Sequence, residues 1–465
     1  MKRGSIYTRT AVALLFILLT SPGTLAQEKV VAVDALTERL ERAAALISSN
    51  RIEEAEQQLN SVLKVRPSDP VAFNLLGTIR AKQGRLDEAE AFFSRAIRID
   101  NQLLGAHMNL AYLYLLRGAP EKTALELKEV LRLDPNNTDA SHRLAWLLLS
   151  QGRFDECISF IEKVKATHAL TAPLMVMLGD AYSKKGEFEK AEGSYLAAIN
   201  EQGNNADALL GLARVRQARG DAENAALYLR RAKDVLADSP DQLYRFALAA
   251  LNSDLIDDAM RAVKRAVELK PDEPVYYFVL GIAWLRAKKP DLQEAEGAFR
   301  QFLKARPDDS QGQLNLGYVL LKQKRYEEAR VELERSVQKT SATPEGFYYL
   351  GLIAQEQNED ERAVELFEKA IQLLPSYAYA HIALGSLYLK LKNYGRAQAE
   401  LEIGVKLSPD DSKAHYNLAM LYARQKQQQR AQEEMRIVER LKSEGKAETE
   451  EDGALLLAPP GQSPR

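Results

Sequence analysis

The chain has 465 residues, of which 46% are hydrophobic and 28% charged, with 25 Gly and 17 Pro. It is too long for one compact domain, too apolar to stay unfolded and too poor in Gly and Pro to be fibrous, so it holds several domains or grows by repetition. The formal net charge of −2 withholds the electrostatic support that a nucleic-acid partner needs, and the single Cys157 excludes an internal disulfide framework and any multi-cysteine metal site.

In chain order, Lys2, Arg3 and Arg9 precede an apolar run from Ala11 to Leu19, a Pro22-Gly23 break and the small residues Thr24 and Ala26. This pattern predicts a secretory signal peptide over residues 1–26, because the run is shorter than the ~20 residues a membrane-spanning helix needs. The alternative is an uncleaved anchor. No cysteine follows the break, which argues against a lipoprotein. The expected location is exported, periplasmic or secreted, with residues 27–35 as a short N-terminal lead-in.

From Leu36 the sequence repeats. Blocks resembling LLGTIRAKQGRLDEAEAFFSRAIRID at Leu75 recur every 34 residues, starting at Leu36, Pro70, Leu104, Thr138, Ala172, Ala206, Pro240, Pro274, Ser310, Pro344, Ala378 and Ser412. These twelve copies cover residues 36–445. The one irregular interval carries two extra residues in Lys288-Lys289-Pro290-Asp291, where a turn between helices falls and an insertion is tolerated.

Position 8 of the repeat is Gly or Ala in every copy, from Ala43 and Gly77 to Gly385 and Ala419, and position 20 is Ala except at Thr123 and Cys157. Small residues at both places let two helices approach closely. Position 24 is apolar throughout and includes Phe93, Tyr195, Phe299 and Phe367, which fill the space between helices. Proline at position 32 in half the copies, such as Pro67 and Pro409, stops the second helix. Ser239-Pro240 and Thr343-Pro344 read as a cap followed by a first-turn proline.

This pattern resembles the tetratricopeptide repeat family, whose unit is a 34-residue pair of antiparallel helices with small residues at positions 8, 20 and 27. The resemblance implies an all-α fold, a right-handed superhelical solenoid of about twelve helix-turn-helix repeats with a concave groove lined by each first helix. Two departures stand out. Position 27 is bulky at Val62, Val130, Val164 and Phe302, and Ala169 to Thr171 lacks a closing proline, so irregular packing is expected between the fourth and fifth repeats. The polar stretch from Gln427 to Leu441 suits a solvent-facing end cap, and residues 446–465, acidic and then Pro-rich, read as a disordered tail.

No catalytic constellation is present in the sequence. His107, His142, His168, His381 and His415 show no zinc-site spacing, and three of them share position 4, which the family fills with an aromatic packing residue. No Walker A loop, GxGxxG after a strand or GxSxG elbow occurs. Cys157, at a position where Ala packs, reads as a buried inert thiol. The expectation is therefore no enzyme, no cofactor and no metal.

Function then falls to the groove, which the resemblance draws from positions 2, 5, 9, 12 and 13. In the third and fourth repeats these hold Met108, Tyr112, Leu115, His142, Trp146 and Leu149. In the later repeats they include Tyr244, Phe278, Tyr318, Tyr348, Tyr379 and Tyr416, rings at successive helices that form a ladder of candidate anchors for a protein or peptide, the alternative for each ring being that it seals successive repeats against each other. Between the two stretches lie Asp180, Lys184, Arg214 and Gln217. Asn109, Asn315 and Asn417 share position 6, where the family can hold a peptide backbone. Position 5 is never Lys, so the family's carboxylate clamp is not expected. The reading is a non-catalytic interaction scaffold that binds partner peptides or proteins. The alternative is an envelope accessory that binds a polysaccharide or its export machinery, with a glycan as partner. Neither involves nucleic acid or a stable membrane span after signal cleavage.

Overall fold

The structure, a computed structural model, describes residues 27–338 and 343–444, so the expected signal peptide and the tail lie outside the described residues. Among these residues there are twenty-four helices and no strand. They divide between two compact units, residues 1–203 and 204–465.

The first unit holds five hairpins: α1 (Gln27–Ser48) with α2 (Ile52–Val65), α3 (Pro70–Lys82) with α4 (Leu86–Ile99), α5 (Leu104–Leu116) with α6 (Pro120–Leu133), α7 (Thr138–Ser150) with α8 (Phe154–Thr167), and α9 (Ala172–Lys184) with α10 (Phe188–Gln202). The second unit holds seven, beginning with α11 (Ala206–Ala218) and α12 (Ala222–Lys233), α13 (Pro240–Asn252) and α14 (Ile256–Leu269), and α15 (Pro274–Leu285) and α16 (Leu292–Ala305). It continues with α17 (Ser310–Lys322) and α18 (Tyr326–Val337), α19 (Pro344–Glu356) and α20 (Asp360–Leu373), α21 (Ala378–Lys390) and α22 (Tyr394–Leu407), and α23 (Ser412–Arg424) and α24 (Gln428–Ser443). From the second repeat onward, each repeat start read from the sequence is the first residue of a helix. The first helix begins earlier, at Gln27, so the lead-in is helical.

All hairpins but one close through a left-handed residue at position 15. It is Gly84 (φ +74°), Gly118, Gly152, Gly186 and Gly220 in five copies, and Asn50, Asp254, Lys324, Asn358, Lys392 and Lys426 in six others. That conformation lets the next two amides turn back on the helix just ended, as where Gly84 N–H donates to Ala81 O (3.0 Å) and Arg85 N–H to Arg80 O (2.9 Å). In the remaining hairpin the two-residue insertion replaces this turn, and there Asp291 caps α16 by accepting from Gln293 N–H and Glu294 N–H.

Within a hairpin, position 8 meets position 24. A Cβ built on Gly77 lies 2.6 Å from the Phe93 ring, and the same contact recurs from Gly179 to Tyr195, Gly281 to Phe299 and Gly351 to Phe367. Every aromatic at position 24 thus faces a glycine, whereas the Ala copies, such as Ala111 and Ala213, belong to hairpins with Leu127 and Leu229. A ring occupies the volume of the missing methyl. Bulky Phe302 at position 27 is accommodated similarly, by Gly312 of the next hairpin at 2.6 Å.

Neighbouring hairpins latch through tyrosines. Tyr114, Tyr388 and Tyr422 donate to Glu90, Glu368 and Glu402 of the hairpin before, at 2.9–3.2 Å, each beneath a Lys or Arg.

Two sequence expectations need correction. The junction of the fourth and fifth repeats is packed, with Leu170 buried among Leu174 and Leu178 and with Ala172 N–H donating to Glu201 (3.1 Å). The division of the chain falls one hairpin later, at Gly203, whose φ of 72° and ψ of −138° only glycine adopts readily. Pro240 and Pro344 do start helices, but neither Ser239 nor Thr343 makes a side-chain cap. That role falls to Asp69, Asn137, Asn205, Asp309 and Asp411, which lack a following proline in all but the first case.

Candidate functional site

In the first unit α5, α6, α7 and α9 enclose a cavity of about 350 Å³. Its walls are Met108, Leu115, Leu127, Leu147, Trp146 and Met177, with Tyr112, Asp139, His142 and Arg143 at one rim. The cavity exists because α5 is apolar on nearly all sides: its inner face packs the core while Met108 and Leu115 are left half-buried. Trp146 is 43% exposed and Leu116 59%, large apolar surfaces that this unit leaves uncovered.

The polar rim is prearranged. Tyr112 donates its hydroxyl to Asp139 Oδ2 (2.6 Å), Arg143 Nε donates to both Asp139 oxygens (2.9 and 3.0 Å), and the Arg143 guanidinium lies 4.3 Å from the Tyr112 ring centre. Burial and then the bond to Asp139 push the Tyr112 hydroxyl up to about 12. Burial alone would raise the Asp139 carboxyl, but the donors Arg143 and Tyr112 outweigh it and hold the group below the usual carboxylate range. His142 is lowered, by burial first and by Arg143 against the pull of Asp139, and its Nε2 sits 2.6 Å from Thr171 Oγ1. With its oxygens engaged by three donor contacts, Asp139 orders the rim rather than offering a base.

The second unit separates the remaining candidates. Phe278 is 1% exposed, wedged edge-on against Phe299 and Phe302. Tyr318 is 3% exposed beside Tyr349, and Tyr348 is 1% exposed within a ring cluster of Tyr349, Phe367, Tyr377 and Tyr379. The expected ladder is thus interrupted: these three rings seal hairpins and offer no face. Tyr244, tilted against Tyr276 at 5.3 Å, and Tyr379 are half-buried, and Tyr416 is 47% exposed. Of the eight candidate anchors, Tyr112 and Trp146 share one cavity, and Tyr244, Tyr379 and Tyr416 keep accessible surface.

Of the polar stretch, Asp180 and Lys184 belong to the first unit and Arg214 and Gln217 to the second. Asp180 accepts from Tyr195 (2.7 Å), and Gln217 donates to Ala249 O and Ser253 Oγ, both at 2.7 Å. Asn109 and Asn315 are buried and turn inward, donating to Asn74 Oδ1 and Gln311 O, so they do not await a peptide backbone. Cys157 is buried with its thiol pushed up to about 11 by burial, the Asp180 charge adding to it. Among the described residues no three His, Cys, Asp or Glu side chains converge as a metal cage requires, and no helix is long and apolar enough to cross a membrane.

Stacked helical hairpins with a recessed apolar face define a class of α-helical repeat scaffolds. Profiles of the tetratricopeptide repeat match residues 40–103, 176–241, 291–346 and 382–443, and a second such profile matches 114–178 and 352–411. The matches span more than half of the chain, which belongs to the tetratricopeptide repeat family. Among curated relatives, it is 24% identical over 262 residues to human Protein O-mannosyl-transferase TMTC3, covering 55% of this chain and 28% of that protein. It is 24% identical to Cellulose synthase 1 operon protein C of Komagataeibacter xylinus (57% of this chain, 18% of that protein) and 30% identical to Cellulose synthase operon protein C of Xanthomonas axonopodis pv. citri (57% and 21%). The matched stretch is therefore under a third of the length of each of these relatives. Among solved structures, the APC/C hetero-tetramer Cut9-Hcn1 aligns at a TM-score of 0.45 and 16% identity, over 93% of this chain and 85% of that one.

Proposed function

We propose that the protein is an exported, non-catalytic scaffold that binds a protein or peptide partner, with the cavity between α5 and α7 as its principal anchor site. The observation that carries this reading is the pairing of an exposed Trp146 with a 350 Å³ apolar recess and a prearranged Tyr112–Asp139–Arg143 rim. A recess of this kind takes a bulky apolar side chain, while fixed polar groups at its edge orient the backbone that carries it. Met108 and Met177 in its walls let the recess adapt to more than one side chain. In the second unit Tyr416, Tyr379 and Tyr244 serve as further contacts. The charged start and short apolar run in residues 1–26 support export. The test is binding of a partner isolated by crosslinking in the native host, measured for wild type and for Trp146→Ala; unchanged affinity in that variant rejects the site.

A second reading, an envelope accessory that holds a polysaccharide or its export machinery, draws support from the similarity to the two cellulose synthase operon proteins and from a tryptophan face beside an Asp–Arg pair. Glycan-array binding that depends on Trp146, with no protein adduct, decides for it.

A further inference from the structure

His107, His381 and His415 occupy the same repeat position and share one geometry. Nδ1 of His107 lies 2.7 Å from Glu126 Oε2 and Nε2 3.2 Å from the Asn101 carbonyl oxygen. For His381 the distances are 2.6 Å to Glu400 Oε2 and 3.0 Å to the Pro375 carbonyl, and for His415 they are 2.6 Å to Glu434 Oε2 and 3.0 Å to the Pro409 carbonyl. All three residues are buried. A carbonyl oxygen only accepts, and so does an ionised carboxylate, so both contacts are hydrogen bonds only when both ring nitrogens carry a proton. A neutral ring turns one lone pair toward an oxygen inside the protein and leaves one contact unmade.

Each ring joins three pieces of chain. His107 stands on α5, Glu126 on α6, and Asn101 in the turn that arrives from α4. His381 likewise joins α21, α22 and the turn from α20. The charged groups acting on His107 are Glu126 and Glu129, both of α6, and the one acting on His381 is Glu400 of α22. Among the described residues no charge on α20 acts on His381. Burial by itself disfavours the charged ring, but the carboxylate bond, the backbone carbonyl and the acidic charges outweigh it, and both histidines are raised above their ordinary value.

We propose that His107 and His381 are proton-held latches, each pinning its hairpin to the turn before it while the ring carries two protons and releasing that turn when one is lost to solvent. The sign comes from linkage. A group raised in the folded state stabilises fully below its unfolded value, about 6.5, and that contribution disappears as pH climbs through the folded value. The two junctions are thus held tightest in mildly acidic surroundings and loosen locally in alkaline ones.

The test is hydrogen exchange by mass spectrometry on the full chain at about pH 6 and about pH 8.5, corrected for base-catalysed intrinsic exchange. Protection over 100–133 and 375–407 is expected to fall several-fold more than over the histidine-free hairpins 206–233 and 240–269. Glu400→Gln, which keeps a hydrogen-bonding group but removes the charge, is expected to weaken this pH step in 375–407 and leave it intact in 100–133; His381→Phe abolishes it if that variant folds. A uniform loss across all hairpins overturns the proposal, as does a pH step that survives in Glu400→Gln at full size. Nitrogen-15 shifts give an independent view: doubly protonated rings for His107 and His381 at about pH 6 that lose a proton on titration to about pH 8.5 support the latch, and rings already neutral at about pH 6 refute it.

Discussion

Replacing Gly351 by Ala tests the packing rule of the hairpins at one methyl group. The added Cβ lies 2.5 Å from Phe367 Cε1, 2.6 Å from Cδ1 and 3.0 Å from Cζ, well inside van der Waals contact. The ring cannot swing away freely, because Phe367 is wholly buried and Tyr348 packs on it with ring centres 6.0 Å apart. Alanine gains about 0.5–1 kcal/mol over glycine within a helix. Overpacking of a dense core costs about 1–3 kcal/mol, so a net loss of up to about 2.5 kcal/mol is expected, read by urea denaturation followed by circular dichroism. Phe367→Leu alone also destabilises, by leaving a cavity. The double variant Gly351→Ala/Phe367→Leu recreates the Ala–Leu combination of the hairpins with Ala111 and Leu127, or Ala213 and Leu229. It is expected to be more stable than the sum of the two single losses by about 1 kcal/mol or more. Strict additivity, or a stabilised Gly351→Ala, refutes the claim that rings at position 24 fill the space of a missing methyl.

Gly317→Leu is expected to destabilise the second unit more severely, since a Cβ there already lies 2.5 Å from Leu333 Cγ and 3.3 Å from the Leu333 backbone nitrogen; an unchanged melting temperature contradicts this. Lys392→Gly relieves a non-glycine residue at φ +60° and is expected to stabilise by up to about 1 kcal/mol in the same denaturation assay, because the left-handed conformation costs L-residues about that much. Tyr348→Ala is expected to lower the melting temperature without changing partner affinity per folded molecule, and Tyr416→Ala to leave the melting temperature nearly unchanged.

The helical array was legible because close approach of two helices restricts position 8 to Gly or Ala in all twelve repeats and position 20 to Ala in ten, a constraint visible in one sequence when it recurs so often. The coupling of aromatic Phe93, Tyr195, Phe299 and Phe367 to Gly77, Gly179, Gly281 and Gly351 was present in the same columns, as was the glycine or asparagine that closes most hairpins. Reading positions in pairs rather than singly exposes both. What periodicity does not resolve is which groove-facing side chains remain open. Position 5 carries Tyr348 and Tyr416 alike, yet Tyr348 is covered by Tyr377 and Tyr379 from the following hairpin, while Tyr416 stays exposed in the last one. Accessibility depends on the size of a neighbour a repeat away. The cavity beside Trp146 was legible only as a cluster of apolar positions; its polar rim needed the geometry that brings Tyr112 of α5 to Asp139 of α7.

Position-specific photocrosslinking of the full chain in its native host shows whether a protein partner seats in the cavity beside Trp146. A crosslinker at position 115, where half-buried Leu115 lines the cavity beside an intact Trp146, is compared with one at position 125, where Leu125 is 63% exposed on α6 and lines no part of the cavity. A discrete protein adduct is expected from position 115 and none from position 125. The purified partner is also expected to bind Trp146→Ala about 30-fold more weakly than wild type, the equivalent of about 2 kcal/mol, at an unchanged melting temperature. Adducts from position 125 alone, or a partner that binds Trp146→Ala as tightly as wild type, contradict the cavity as the anchor site.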